Sequence, residues 1–369
     1  MNKILFIAVV AIIVVACNQN NKPYGTLTGT LKNIKNDTTF YLVDYETDTV
    51  IQKFKITKGH FKIRYSVSSP KQFLIRPEIY KYDKDVFLLW LDNSPTKLYG
   101  NMYNMADSKI EGSIPNKIYD QYKIIEKTHD ASFSRINLSK IMTNDQKVRD
   151  SLSRELSNLQ NDYKIKLMQF FSNNINSTVA FYYLVYEIVR YNSVLTKADF
   201  KQLYTNLPEE FKVSRDGILL KNFFSMTDVP KIGEKFIDFS QPTPEGKVES
   251  VSSHLGKYTI LEFWSSSCGN CRMEHPRLRK LYEKYHNAGF NIIGISLDNN
   301  LSDWVGAIKK DSIPWLNISD LKGYYNNGAL LYGAKLIPCL ILLDNKGIIL
   351  DNNFRSKYME GELEKLFKY

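Results

Sequence analysis

The chain has 369 residues, 43% of them hydrophobic and 13% aromatic. That is ample for buried cores, so a disordered chain is excluded, and two or three domains of on the order of 100–200 residues are expected. Its net charge of +10 comes from basic residues scattered among acidic ones, the pattern of a solvated surface. No nucleic-acid-binding motif accompanies it, so no nucleic-acid partner is expected.

The first residues differ from the rest. Met1, Asn2 and Lys3 form a short basic start, and Ile4 to Ala16 is a run of thirteen residues without a polar side chain. A spanning helix needs about 20 apolar residues, so this run fits the apolar part of a secretory signal instead. It ends Val14-Val15-Ala16-Cys17, and polar Asn18-Gln19-Asn20-Asn21 follows. A small residue before a Cys at such a break resembles the lipobox of bacterial lipoproteins. The resemblance implies cleavage after residue 16, lipidation of Cys17 and a tether over 17–23. Several acyl chains on one Cys would anchor stably, where a single chain binds only marginally. The plainer alternative is an ordinary secretory signal with an incidental Cys. Beyond Cys17 only Cys268, Cys271 and Cys339 remain, too few and too unevenly spaced for a disulfide framework. One close pair in an exported chain points to redox work rather than stapling.

Residues 24–114 read as short strands of a small β-sandwich-like domain. Thr26 to Leu31 and Phe61 to Tyr65 alternate at period two, Phe87 to Leu91 reads as a buried strand, and Lys58-Gly59 and Asn93-Ser94-Pro95 punctuate them. The many Tyr of the chain suit such pleated surfaces. The layout, with Ile110-Glu111-Gly112-Ser113 near its end, resembles the β domain of unknown function that precedes thioredoxin-like domains in some envelope lipoproteins. Residues 115–228 read as helical. Val148, Leu152, Leu156, Leu159, Tyr163, Leu167 and Phe170 form one stripe, and Ser177 is placed to cap an apolar helix from Thr178 to Tyr191. Asp228 to Gly233 reads as a linker. Residues 229–369 alternate strand and helix. Tyr258 to Trp264 and Phe290 to Leu297 are strands. Met273, Leu278, Leu281, Tyr282 and Tyr285 mark one helix face, and Ser302 caps a helix through Lys310. A hairpin turns at Asp344-Asn345-Lys346-Gly347, and a last helix covers Met359 to Phe367. This order implies an α/β sandwich with a mixed sheet flanked by helices.

The chemistry centres on Leu261-Glu262-Phe263-Trp264, followed by Ser265-Ser266-Ser267-Cys268-Gly269-Asn270-Cys271-Arg272-Met273-Glu274-His275-Pro276. A strand feeds a helix at the Cys pair. Cys268 then sits at the helix N-terminus, where free N–H groups and the positive dipole end stabilise an anion. Its pKa is expected below the ~8.5 of a free Cys, which makes it the nucleophile toward a partner disulfide. Cys271 would resolve the mixed disulfide by attacking Cys268.

The same run resembles the thioredoxin-like envelope thiol–disulfide oxidoreductases of the TlpA/ResA type, related to AhpC/TSA proteins. They share the strand ending Phe-Trp, the Cys-X-X-Cys pair and a following Arg-X-Glu-X-Pro. The resemblance covers roughly residues 229–369. It implies a thioredoxin-like fold and a redox disulfide between Cys268 and Cys271. It implies a catalytic cis-proline at Pro338 and a buried acid at Glu262, six residues before Cys268. A buried carboxylate there would take the proton of Cys271. The alternative is a solvent-facing strand-edge Glu, which the apolar neighbours Ile260 to Trp264 disfavour. Pro338 could also be a trans residue opening a strand. Cys339 departs from the family pattern and would put a third thiol near the site, unless it is only a small buried residue.

His275 and Glu274 read as helix-surface residues. A zinc site of Cys268, Cys271, His275 and Cys339 can be drawn, but a structural site needs four ligands and only one spaced pair is present. No metal or other cofactor is therefore expected. Two rivals remain. A thiol peroxidase of the peroxiredoxin class would need Pro-X-X-X-Thr-X-X-Cys, yet Leu261 stands where that motif has Pro. A binding module with a vestigial Cys pair fits poorly with an intact pair beside Trp264 and Pro338. The implied setting is the cell envelope, lipid-anchored and facing the periplasm. The implied partners are protein disulfides and an upstream electron donor.

Overall fold

The computed structural model describes residues 24–35, 38–78, 86–105, 108–191, 193–354 and 356–367. The signal segment 1–16 and the tether 17–23, with Cys17, lie outside the described residues. Two compact units are present. One runs to Asp130 and takes in Ser177–Ala180; the other comprises Ala131–Asn176 and everything from Phe181 onward.

Among the described residues the first unit holds eight strands: β1 (Gly25–Lys32), β2 (Thr38–Asp44), β3 (Val50–Ile56), β4 (His60–Tyr65), β5 (Lys71–Pro77), β6 (Phe87–Leu91), β7 (Thr96–Asn101) and β8 (Lys109–Glu111). They form two four-stranded sheets, ordered β4-β1-β7-β8 and β3-β2-β5-β6. Along β1 and β4 every second residue is buried, as the period-two reading requires. Leu27, Leu98 and Ile63 of one sheet share a core with Phe40, Leu42 and Ile75 of the other. Lys58 and Gly59 turn β3 into β4 with φ of 51° and 79°. A Cβ on Gly59 would lie 2.7 Å from the Leu31 carbonyl oxygen, so glycine is required there. The open edge at β6 is partly closed by Asn116, whose amide accepts from the Trp90 N–H at 2.9 Å and donates to its carbonyl at 2.5 Å.

Six helices follow: α1 (Ile114–Met142), α2 (Gln146–Asn173), α3 (Thr178–Tyr186), α4 (Lys197–Thr205), α5 (Glu209–Lys212) and α6 (Arg215–Ser225). The apolar stripe of α2 is buried only toward its end, at Tyr163, Leu167 and Phe170, while Val148 is exposed. Helix α3 stops at Tyr186, short of the expected Tyr191. Beyond it the chain tightens into bonds from Ile188 N–H to Val185 O and Val189 N–H to Tyr186 O, a spacing of three rather than four. No helix among the described residues is long and apolar enough to cross a membrane.

The C-terminal part contains β9 (Ser240–Pro242), β10 (Val248–Ser250), β11 (Tyr258–Trp264), α7 (Gly269–Tyr285), β12 (Phe290–Ser296), α8 (Leu301–Asp311), β13 (Leu316–Ile318), α9 (Asn327–Tyr332), β14 (Cys339–Asp344), β15 (Ile349–Asp351) and α10 (Ser356–Phe367). Five of these strands form one sheet, ordered β13-β12-β11-β14-β15. β11, β12 and β13 run parallel, and β14 and β15 join antiparallel. This is the mixed sheet that the strand–helix order implied, in the thioredoxin-like arrangement that the resemblance implied. Period-two alternation splits the core. Ile260, Trp264, Ile292, Leu340 and Leu342 pack under α7, α8 and α10. Leu261, Phe263, Ile293, Ile341 and Leu343 pack on the other face with Ala329 and Tyr332 of α9.

Some local expectations are corrected. Asn300, not Ser302, caps α8, accepting from the N–H groups of Ser302 and Asp303 at 2.8 and 3.2 Å. The end of the expected linker is tied to the β15 hairpin, with Gly233 N–H on Ile349 O at 2.8 Å and Phe236 N–H on Gly347 O at 2.7 Å. The face of α7 turned to the sheet carries Cys271, His275, Leu278, Leu281 and Tyr285, whereas Met273 is 72% exposed.

Candidate active site

β11 is buried from Thr259 to Trp264, so it fixes where the chain emerges toward α7. The connecting loop is held by the end of β12. Asp298 accepts from the Ser266 N–H at 3.0 and 3.1 Å, from the Ser266 hydroxyl at 2.5 Å and from the Ser296 hydroxyl at 2.7 Å. Trp264 is fully buried and its indole N–H donates to Asn317 Oδ1 at 2.9 Å. The Cys268 N–H then closes a turn on the Ser265 carbonyl at 3.1 Å.

Cys268 caps α7 and Cys271 lies in its first turn, and the two are joined by a disulfide of 2.03 Å. The Cys271 N–H points at Cys268 Sγ at 3.1 Å. A negative sulfur at this place would be met by that N–H and by the helix dipole. The sulfurs are not equivalent: Cys268 is half-buried and Cys271 is fully buried. A partner disulfide could therefore reach only Cys268. A Cβ on Gly269 would meet nothing within 4 Å, so the site is open on that side.

Beneath the pair lies a chain of charged groups. Glu262 is fully buried, on the same sheet face as Ile260 and Trp264. Its Oε1 lies 3.2 Å from Nε2 of His275, which is also fully buried. On the other side of the ring, Nδ1 is 2.8 Å from Asp311 Oδ2 at the end of α8. Asp311 also receives a bidentate fork from Arg272 at 2.9 and 2.6 Å. Burial works against a charge on His275, but Glu262 and Asp311 outweigh it and hold the imidazole above its ordinary 6.5. The Arg272 guanidinium holds the Asp311 carboxyl below its ordinary 3.8. His275 is thus not the surface residue its sequence position implied. A helical stripe through Cys271, His275, Leu278, Leu281 and Tyr285 could have located it, had the face been indexed from Cys271 instead of Met273. Glu274 is half-buried.

The Ile337–Pro338 peptide is cis, at the start of β14. Cys339 follows it and is a free thiol opposite Phe263 in the sheet. Its side chain packs with Phe263 and Ile341, on the face turned away from α7, so the third thiol adjoins the site in sequence but not on the face that carries the pair. Burial pushes its thiol up to about 11. Among the described residues no group of three or more His, Cys, Asp or Glu side chains is arranged to hold a metal ion. Both nitrogens of His275 face carboxylates, which leaves none for the zinc site that can be drawn from sequence.

Comparison with known proteins converges on the same region. Residues 232–351 match the model of the AhpC/TSA family. The thiol-disulfide oxidoreductase ResA of Bacillus cereus is 25% identical over 150 residues, 41% of this chain and 84% of that protein. The thiol:disulfide interchange protein DsbE of Pseudomonas fluorescens is 33% identical over 122 residues, 32% of this chain and 65% of that protein. A solved thiol-disulfide oxidoreductase from Bacteroides fragilis is 31% identical, covering 36% of this chain and 99% of its own, with a TM-score of 0.34. Residues 232–351 thus form an AhpC/TSA-type domain, and its relatives support a thiol–disulfide oxidoreductase of the TlpA/ResA type.

Proposed function

We propose that this protein is a lipid-anchored reductase of the cell envelope, facing the periplasm. It takes electrons from an upstream donor and passes them to disulfides in protein substrates. The observation that carries this reading is the asymmetry of the pair: one half-buried sulfur at a helix N-terminus, one fully buried sulfur behind it. In the reduced enzyme Cys268 attacks a substrate disulfide and forms a mixed disulfide. Cys271 then attacks Cys268 Sγ, the Cys268–substrate bond breaks, and the substrate leaves reduced. Glu262 takes the proton that Cys271 gives up, and the cis Pro338 segment offers backbone to the substrate.

The local charge supports this direction of electron flow. A strong oxidant has a very stable reduced form. Here Gly269 and Asn270 bring no cation, and the nearby Arg272 is committed to Asp311. Thiolate stabilisation therefore rests chiefly on the helix terminus, which favours a reductase. Envelope location rests on the apolar run ending at Cys17. In this reading residues 1–16 are removed and 17–23 tether the protein. Residues 24–114 and 115–228 precede the catalytic domain of 229–369. Trapping tests the whole scheme. A Cys271→Ser variant in its own cell should accumulate mixed disulfides with envelope proteins through Cys268, and the wild-type protein should speed insulin reduction by dithiothreitol. Peroxide consumption without insulin reduction would give the peroxidase reading instead, and neither activity would leave a binding module.

A further inference from the structure

The reaction above releases a proton into a place sealed from water. Glu262 and Cys271 are both fully buried on the α7 side of the sheet. A buried carboxylate that accepts this proton either holds it until Cys271 is reduced again or shares it with a neighbouring base. Among the described residues, the ionisable side chain recorded against it is His275. Neither oxygen of Glu262 and not Nε2 of His275 is engaged in a hydrogen bond, yet Oε1 and Nε2 face each other across 3.2 Å. Two orphaned polar atoms in a dry core are costly unless they serve one another. The far nitrogen is firmly held: Nδ1 bonds Asp311 at 2.8 Å, and Arg272 grips both Asp311 oxygens. Asp311 and Arg272 are partly exposed, so this end of the chain reaches solvent. The other groups against the ring are the indoles of Trp264 and Trp315, which carry no charge.

We propose that His275 is a positioning residue for the resolving step: it takes over from Glu262 the proton that Cys271 releases, while Asp311 fixes its ring. The proposal rests on Glu262 being the acceptor for Cys271. Before resolution Glu262 is a carboxylate and His275 is neutral, with its N–H on Nδ1 donated to Asp311. Cys271 loses its proton to Glu262 and its sulfur pair forms the bond to Cys268 Sγ. The Cys268–substrate bond breaks, and its electron pair leaves on the substrate sulfur. The enzyme dithiol is oxidised and the substrate disulfide reduced. Glu262 then hands the proton to Nε2, so the pair ends as carboxylate and imidazolium, flanked by the anion of Asp311 and the cation of Arg272. The four groups together then carry no net charge, which suits a low-dielectric site. A His275 that is already protonated cannot take the proton, so resolution speeds up as pH rises through the imidazole's titration.

The test follows the full-length reduced protein with Ellman's reagent by stopped flow. Attack by Cys268 releases one thionitrobenzoate, and resolution by Cys271 releases the second. For wild type the second rate should rise with pH to a plateau, the inflection lying above 6.5. His275→Gln should abolish that inflection and slow the second step by about 10–100-fold, the usual cost of losing the partner behind a working group, with the first step unchanged. Asp311→Asn keeps the ring but removes the anion behind it, so the inflection should move to lower pH. Second-step profiles of both variants that overlay the wild type would overturn the proposal, even with two-step release intact. Absence of two-step release from the wild type would instead refute the dithiol chemistry itself. Should His275→Gln fail to fold, the ring proton of His275 followed by NMR decides. In Glu262→Gln it must titrate at lower pH than in wild type; an unmoved titration would refute the pairing.

Discussion

Glu262→Gln should destabilise the oxidised protein at acidic pH and leave it nearly unchanged at alkaline pH. The folded-state pKa of His275 is raised, chiefly because two carboxylates outweigh its burial. A group raised in this way contributes stability that is complete below its unfolded value of about 6.5 and fades as pH climbs through the folded value. Each tenfold change in its proton affinity is worth about 1.4 kcal/mol. Removing the charge of Glu262 leaves the imidazolium only Asp311. If His275 kept its proton, the loss would approach the ~3–5 kcal/mol of a broken buried pair. The ring can instead discharge, which reduces the cost toward the ~1–3 kcal/mol of unmatched buried polar atoms. A loss of about 1–3 kcal/mol near pH 5.5 is therefore expected, closing toward zero near pH 9. Urea unfolding read by tryptophan fluorescence suits the purpose, because Trp264, Trp304 and Trp315, three of the four tryptophans, are buried in this domain's core. An equal loss at both pH values would refute the coupling, since it would mean that Glu262 is missed for its shape and not for its charge.

Other outcomes follow from the sequence and from the same geometry. Cys17→Ala should move the protein from the membrane fraction to the soluble fraction, with acyl mass on Cys17 in the wild type as the check. On alkylation of the reduced protein near pH 7, Cys268 should react first, and Cys339, pushed up to about 11 by burial, should stay unlabelled on the same timescale, as peptide mass mapping would report. Gly269→Lys should fold normally, since its Cβ meets nothing within 4 Å. It should also raise the reduction potential by about 30 mV for each tenfold gain in stability of the reduced form, measured against a glutathione buffer.

How much of this was legible before the structure depends on how each feature is encoded. β11 and β12 announce themselves because buried parallel strands are continuous apolar runs. The β14–β15 hairpin does so through Asp344 to Gly347, where Gly347 has φ of 76°. β13 passes unnoticed, since three residues, Leu316 to Ile318, give no period to read. The same holds for the short β9–β10 pair and for α9, which is one and a half turns long. The extent of α3 is misjudged because an apolar run continues past the point where hydrogen bonding tightens. Apolar content reports burial, not backbone geometry.

The site divides along a different line. Cys268 and Cys271 are read from spacing, and their expected difference in role rests on helix geometry; in the structure the first is half-buried and the second fully buried. The charged chain beneath them is not readable in that way. Asp311 lies 36 residues from His275 in sequence and meets it only because α8 ends beside α7. An acid at the C-terminus of a helix runs against the dipole, which would ordinarily penalise it. That local misfit was a usable signal: a carboxylate placed where its own helix disfavours it needs a cation elsewhere. Arg272 supplies it, and Nδ1 of His275 adds a hydrogen bond. The polar side chains that matter most here are thus those that conflict with their own element, because only a tertiary partner can explain why they are tolerated.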